Sequence, residues 1–298
     1  MHDLDTRLDS FLADLEGQGR RRRLRAVEPL PAGRVRVGGR EVLNFSSNDY
    51  LGLNRHPEMI ERAREWAAKY GAGSGASRLV TGHLAALEAI EAKIAAAKGT
   101  QSALVFASGW QCNASVLPAL LDRSLWGVEP LLFTDRLNHA SLHMGAQAAG
   151  THQIRFRHND LDHLEELLDK HQGAPRLIVT ESVFSMDGDM PDMARLEALA
   201  QKYDALLYVD EAHATGVLGR NGFGLTVGHH VDVAMGTFSK ALGCFGAYVA
   251  GSKALTDYLV NRASGVIYAT ALPPAVLGAM DAALDLVPRL EAERVRLQ

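Results

Sequence analysis

Cysteine is scarce in this chain: two among 298 residues, Cys112 and Cys244, far apart in sequence. That excludes a disulfide framework, and no paired-cysteine spacing of the zinc-binding kind exists. A reducing, cytoplasmic setting is the expectation. Aromatic residues make up only 6%, and neither charge sign dominates, with 31 Lys and Arg against 35 Asp and Glu for a net charge of -4. This balance argues against a nucleic-acid or anionic-membrane partner. No apolar run approaches the roughly 18 residues of a spanning helix. The start, Met1-His2-Asp3-Leu4-Asp5, has no basic patch followed by an apolar stretch, so neither a signal nor a transit peptide is expected. The one basic cluster, Arg20 to Arg23 with Arg25, lacks aromatic interleaving and reads as a solvated helix end. No internal repeat or low-complexity tract is present.

What the chain does have is apolar content: 47% of its residues are hydrophobic, ample for a large core. Short apolar runs recur at 103–106, 131–133, 154–156, 177–179, 206–209, 233–235 and 247–249. Several are continuous rather than alternating, as in strands buried on both faces of a mainly parallel sheet. Helical faces lie between some of them: Leu84, Leu87, Ile90 and Ile94; Leu161, Leu164, Leu167 and Leu168; Met193, Leu196 and Leu199. Alternation of this kind predicts an α/β class with a doubly covered sheet. Residues 1–45 read as a separate N-terminal helix followed by a small hairpin around Val35-Arg36-Val37-Gly38-Gly39-Arg40. Residues 46–285 form the large domain. Residues 286–298, after the helix that begins at Pro273-Pro274, read as the start of a C-terminal domain that is otherwise absent, with Leu290, Val295 and Leu297 as an apolar side.

Ligands in open α/β sheets bind outside the carboxyl ends of the strands. The first such end, Ser108-Gly109-Trp110, has the small residues of a strand-to-helix turn whose amides suit a phosphate, although many turns look alike. The second carries His139 and His143. Their i, i+4 spacing occurs in metal sites, but no third ligand completes one, and a flat ring there could instead stack on a planar cofactor. Thr180 to Asp189 is a dense polar loop. Asp210 ends a strongly apolar strand, which is costly unless a cation meets it. Lys240 follows Gly236-Thr237-Phe238-Ser239, and burial among small residues would free its amine for Schiff-base chemistry. Pyridoxal 5'-phosphate (PLP) needs a lysine, a carboxylate for its ring nitrogen and a phosphate cup, so these pieces fit one cofactor. Two decoys fail. Gly71-Ala72-Gly73-Ser74-Gly75 lacks dinucleotide spacing, and the lysine loop lacks a P-loop glycine pattern.

The segments Asn44-Phe45-Ser46-Ser47-Asn48-Asp49-Tyr50-Leu51-Gly52, Phe184-Ser185-Met186-Asp187-Gly188-Asp189, Asp210-Glu211-Ala212-His213 and Thr237-Phe238-Ser239-Lys240-Ala241-Leu242-Gly243 together resemble the α-oxoamine synthases. The resemblance runs from about residue 20 to the end. It implies a PLP-dependent transferase of the aspartate aminotransferase-like fold type I, with a mainly parallel seven-stranded sheet in its large domain. It implies an acyltransferase that condenses an amino acid with an acyl thioester and releases carbon dioxide. Together with Ala269-Thr270-Ala271-Leu272-Pro273-Pro274, the motifs are most similar to the member that joins L-alanine to a pimeloyl thioester, on coenzyme A or a carrier protein, in biotin biosynthesis. A glycine-using sister activity and an inactive PLP-binding fragment are the alternatives.

Residue roles follow from the same resemblance. Lys240 would carry the cofactor covalently, Asp210 would pair with the ring nitrogen and His213 would bond the ring's phenolic oxygen. His139 would stack on the ring, with Ser185 close by. Ser108, Gly109, Trp110 and Thr237 would hold the phosphate, joined by Thr270 from the second subunit of a homodimer. Arg22 and Asn48 would meet the substrate. The family's carboxylate-binding arginine lies in its C-terminal domain, and no residue here is matched to it.

Overall fold

The computed structural model describes residues 3–298, which fall into two compact units that divide between Ser47 and Asn48. The first unit opens with helix α1 (Leu4–Gly17), capped by the Asp3 carboxylate, which accepts from Thr6 N at 3.2 Å. Strands β1 (Val27–Leu30), β2 (Arg34–Val37) and β3 (Arg40–Leu43) then form an antiparallel meander. The expected hairpin is its second half. Gly38 and Gly39, with φ of 55° and 77°, make the two-residue turn that left-handed backbone requires. The first strand was not legible as such, because its burial is slight. Opposed charges pin the register instead: Arg36 sits opposite both Glu28 and Glu41 and bonds each at 2.6 Å.

In the second unit, helices α2 (Pro57–Tyr70) and α3 (Ala85–Lys98) precede the sheet. There follow β4 (Ser102–Phe106), α4 (Gly109–Leu120), the short α5 (Arg123–Trp126), β5 (Leu131–Asp135), α6 (Ala140–Ala148), β6 (Gln153–Phe156), α7 (Leu161–Lys170), β7 (Arg176–Glu181), α8 (Met193–Lys202) and β8 (Ala205–Asp210). The order closes with β9 (Val233–Thr237), β10 (Ala247–Gly251), α9 (Lys253–Arg262), the short α10 (Ser264–Ile267), α11 (Pro274–Leu286) and α12 (Glu291–Leu297). The seven strands β4 to β10 coincide with the seven apolar runs. They form one sheet in the order β4-β10-β9-β8-β7-β5-β6, parallel except for β10, which runs antiparallel to both neighbours.

The continuous apolar runs are explained by cover on both faces. On β7, Leu177 and Val179 pack toward α4, α6 and α9, whereas Ile178 packs toward α7 and α8. On β8, Tyr208 faces the first layer and Leu207 and Val209 the second. Each such side chain leaves water almost completely, a gain of roughly 1.5–3 kcal/mol apiece. A third cluster joins Ile90 and Ile94 of α3 to Leu277 and Met280 of α11. Of the terminal residues, Leu290 packs partly against this cluster, while Val295 and Leu297 are exposed. The buried side chain of α12 is instead Arg294, whose guanidinium caps the Val287 carbonyl and pairs with Glu291. Among the described residues no helix is long and apolar enough to cross a membrane.

Candidate active site

Parallel pairing brings the chemistry to one edge. Register places Glu181 opposite Asp210, and Asp210 opposite Met235, at the carboxyl ends of β7, β8 and β9. Thr237 closes β9, and Lys240 follows in a loop tied by Gly243 N to Lys240 O (2.9 Å) and Cys244 N to Phe238 O (3.0 Å). Gly243 adopts φ +64°, and a Cβ there would lie 2.4 Å from Asn54 N, so only glycine lets this loop seat against residues 53–54.

Asp210 is 4% exposed. Its Oδ1 accepts from Ala212 N at 2.9 Å and its Oδ2 from Asn113 Nδ2 at 2.8 Å. Both donors are neutral, and no cationic side chain pairs with this carboxylate among the described residues. A buried carboxylate so placed is fitted for a cation brought by a ligand. Burial depresses the Lys240 pKa, with Asp210 and Glu181 opposing, which favours a neutral amine. His213 is pushed down to about 4 by burial first, then by Lys240 and His139, so its imidazole is neutral. Its Nδ1 shares a 2.7 Å hydrogen bond with the Tyr50 hydroxyl, which also reaches Asn48 Oδ1 at 3.3 Å. His139 caps α6. Its pKa too is lowered by burial, its Nδ1 accepts from Ser141 N at 3.2 Å, and its ring stands edge-on to Trp110 with centroids 6.4 Å apart.

The turn from β4 into α4 has a steric signature. Ser108 caps α4 by accepting from Gln111 N at 3.2 Å, and Gly109 follows at the first helical position. A Cβ on Gly109 would stand 2.8 Å from Thr237 Cγ2 and 3.1 Å from Met235 Cε, so the turn and Thr237 close on each other only because Gly109 has no side chain. The Thr237 methyl thus packs against the N-terminus of α4, whose free amides are able to hold an anion. Lysine, uncompensated carboxylate and anion cup together match the needs of PLP.

The remaining candidates spread more widely. Ser185 is exposed in the loop after β7. That loop rests on His158, whose Nδ1 hydrogen-bonds Asp135 at 3.0 Å and whose Nε2 lies 3.0 Å from Asp189 Oδ2, with Phe184 edge-on to its ring at 4.5 Å between centroids. Burial pulls the His158 pKa down, but the two carboxylates outweigh it and raise it. His158, Asp187 and Asp189 also gather possible metal-ligating atoms within 4.8 Å of one another, but both His158 nitrogens already face the Asp135 and Asp189 carboxylates. Thr270 is exposed and pairs with Ser77 through an isolated bridge. Arg22 is exposed in the N-terminal unit, between Arg21 and Arg23, which both reach Glu16.

Sequence reasoning missed three supporting groups. Glu181 is 3% exposed, accepts from His139 N, and is raised to about 8 by burial and then by Asp210. Asn113 reaches Asp210 across 97 residues of sequence. Lys98 and Glu211 form a fully buried ion pair, which Phe223 O (2.7 Å), Thr226 N (2.9 Å) and Thr226 Oγ1 (2.7 Å) complete. That pair anchors the segment after Asp210. Only Glu181 carried a visible signal, a carboxylate at a strand end beside another.

A family model described as aminotransferase class I and II matches residues 40–298. A protein of Paramagnetospirillum magneticum, provisionally named 8-amino-7-oxononanoate synthase, is 69% identical over 300 residues, covering 100% of this chain and 76% of that one. Among solved structures, serine palmitoyltransferase from S. paucimobilis with bound PLP and myriocin superposes with a TM-score of 0.90 at 26% identity, covering 99% of this chain and 75% of that one. The 8-amino-7-oxononanoate synthase of Francisella tularensis gives 0.73 at 29% identity, covering 85% and 71%.

Proposed function

The chain belongs to the class I and II aminotransferase family and, within it, to the α-oxoamine synthases, and on that premise we propose that it joins L-alanine to a pimeloyl thioester, releasing carbon dioxide and 8-amino-7-oxononanoate for biotin biosynthesis. The observation that carries the chemistry is Asp210, a buried carboxylate with only neutral donors, close enough to Lys240 to oppose the fall that burial causes in that lysine's pKa.

PLP, when bound, supplies an aldehyde that joins an amine covalently and a cationic ring that takes up the electron pair left at an amino acid's Cα. Lys240 would hold it, with Asp210 at the ring nitrogen, His213 at the phenolic oxygen, His139 against the ring face, and Gly109, Trp110 and Thr237 at the phosphate. Ser185 lies on the loop that rests on His158 and would close over the cofactor. Lys240 Nζ, its pKa lowered by burial, would take the Cα proton of the amino acid and later return one to the product. His213, neutral and braced by Tyr50, holds its place without adding a positive charge beside Lys240. Asn48 and Arg22 would meet the substrate. We assign the exposed Tyr268, Leu79 and Val80, near the Ser77–Thr270 bridge, to the face of a homodimer through which Thr270 serves the partner's site.

Borohydride reduction of the PLP-loaded protein followed by peptide mapping should put the pyridoxyl group on Lys240; a label on Lys253 or another lysine defeats the assignment. Mass spectrometry of the product from alanine, glycine and serine with pimeloyl thioesters tests the substrate. A clear preference for glycine transfers the chain to a sister activity.

A further inference from the structure

Between β8, α4 and α6 lies a run of buried polar side chains. Tyr208 is 0% exposed, Asn113 1%, Ser141 1% and Asp210 4%. Burying so many polar groups is tolerable only if each finds a partner. Here every hydrogen can be placed. The Tyr208 hydroxyl meets Asn113 Oδ1 at 2.6 Å. Burial drives the Tyr208 pKa well up, so the phenol keeps its proton and is the donor. The amide oxygen is thereby spent, and its two N–H bonds point the other way. One goes to Asp210 Oδ2 at 2.8 Å and one to Ser141 Oγ at 2.9 Å. The reversed amide would aim its oxygen at a carboxylate and is excluded by that repulsion. Ser141 Oγ, already accepting from Asn113, lies 2.7 Å from His139 Nδ1 and has one hydrogen to give. Ser141 N donates to the same Nδ1 at 3.2 Å, so Nδ1 is an acceptor and the ring proton resides on Nε2.

We propose that Asn113 is a positioning residue that joins Asp210 and His139 in one directed hydrogen-bond chain, Tyr208 to Asn113 and thence to Asp210 and, through Ser141, to His139. The chain rests on the reading of Asp210 and His139 as the groups at the cofactor's ring nitrogen and ring face. Its effect is twofold. Asp210 is held by donors at both oxygens, so the carboxylate cannot rotate away from an incoming cation. His139 is held as a neutral ring of one tautomer, presenting a flat, uncharged face with its proton at Nε2. Two groups on different elements are thus set by a single amide that itself touches no substrate.

The test uses the full chain with 15N-labelled histidine, PLP-loaded and PLP-free, and reads the His139 ring nitrogens by long-range proton–nitrogen correlation alongside PLP retention. In the unaltered protein His139 should show the Nε2–H tautomer alone. Asn113→Leu removes both arms: the His139 ring-nitrogen signals should shift as Ser141 Oγ loses its donor, with Nδ1 still accepting from Ser141 N, and PLP should be held about tenfold to a hundredfold less tightly, the scale of one lost charge-assisted bond. Ser141→Ala cuts one arm, so the His139 signals should move while PLP retention changes far less. Tyr208→Phe removes a single oxygen and serves where Asn113→Leu fails to fold; it frees the amide to turn and should weaken PLP retention severalfold. Unchanged His139 signals and PLP retention in Asn113→Leu or Tyr208→Phe would overturn the proposal, as would equal PLP loss in Ser141→Ala. If the unaltered protein holds no PLP at Lys240, the cofactor reading fails by itself, while the His139 tautomer still judges the hydrogen-bond chain.

Discussion

Replacing Glu181 by glutamine should change how stability depends on pH, and the structure sets the size of the effect. Glu181 is 3% exposed beside Asp210, and its pKa rises from an ordinary 4.5 to about 8, through burial first and the Asp210 charge second. Between those values the folded chain keeps a proton that the unfolded chain has lost. Stability therefore falls as pH rises through that window, by up to roughly 1.4 kcal/mol per pH unit and at most about 5 kcal/mol in total. His213 works in the opposite sense. Its pKa is lowered from 6.5 to about 4, so between pH 4 and 6.5 the unfolded chain binds the extra proton and stability climbs with pH. The two trends oppose each other below about pH 6.5, and the Glu181 loss stands out between 6.5 and 8. Glu181→Gln keeps an oxygen for His139 N and removes the titration. Urea unfolding of the PLP-free protein at half-unit steps from pH 5 to 9 should show the variant gaining on the wild type steadily to about pH 8, by a few kcal/mol. PLP loading should narrow the gap, because a ring cation at Asp210 offsets the repulsion. Parallel pH profiles for the two PLP-free proteins would refute the reasoning.

Asp210→Asn should weaken PLP retention at least as much as Asn113→Leu does and slow α-proton removal in the loaded protein on the order of a hundredfold, because an amide cannot hold the ring nitrogen protonated; deuterium exchange at the alanine Cα checks this, and a near-normal rate would contradict the role. Lys98→Met strands the Glu211 carboxylate in the core and should cost about 3–5 kcal/mol of unfolding free energy by urea titration, whereas a loss under 1 kcal/mol would show that the pair is dispensable. Gly109→Ala drives a methyl to 2.8 Å from Thr237 Cγ2, so PLP and free phosphate should both bind more weakly by dialysis and competition, and unchanged binding would move the phosphate cup elsewhere.

The amino-acid order alone made the architecture largely legible. Each of the seven sheet strands is a short, continuous apolar run because helices cover both faces, and such burial leaves its mark on residue type at every position. Lys240 and Asp210 were legible for the same reason inverted: an ionisable group at the end of an apolar strand is costly, and that cost is visible locally. The strand β1 left no such mark, since cross-strand charge pairs rather than burial hold it. Strand order, and with it the meeting of Glu181, Asp210 and Lys240 at one edge, came only with tertiary pairing. Asn113 and Ser141 sit within helical stretches and read as ordinary polar residues; Tyr208 reads as one more strand aromatic. Their roles depend on hydrogen bonds spanning 28 to 97 residues, and the direction of a hydrogen bond belongs to the pair of groups that share it. A carboxylate announces its need for a partner wherever it stands, but which neutral amide answers that need is decided only when the chain folds.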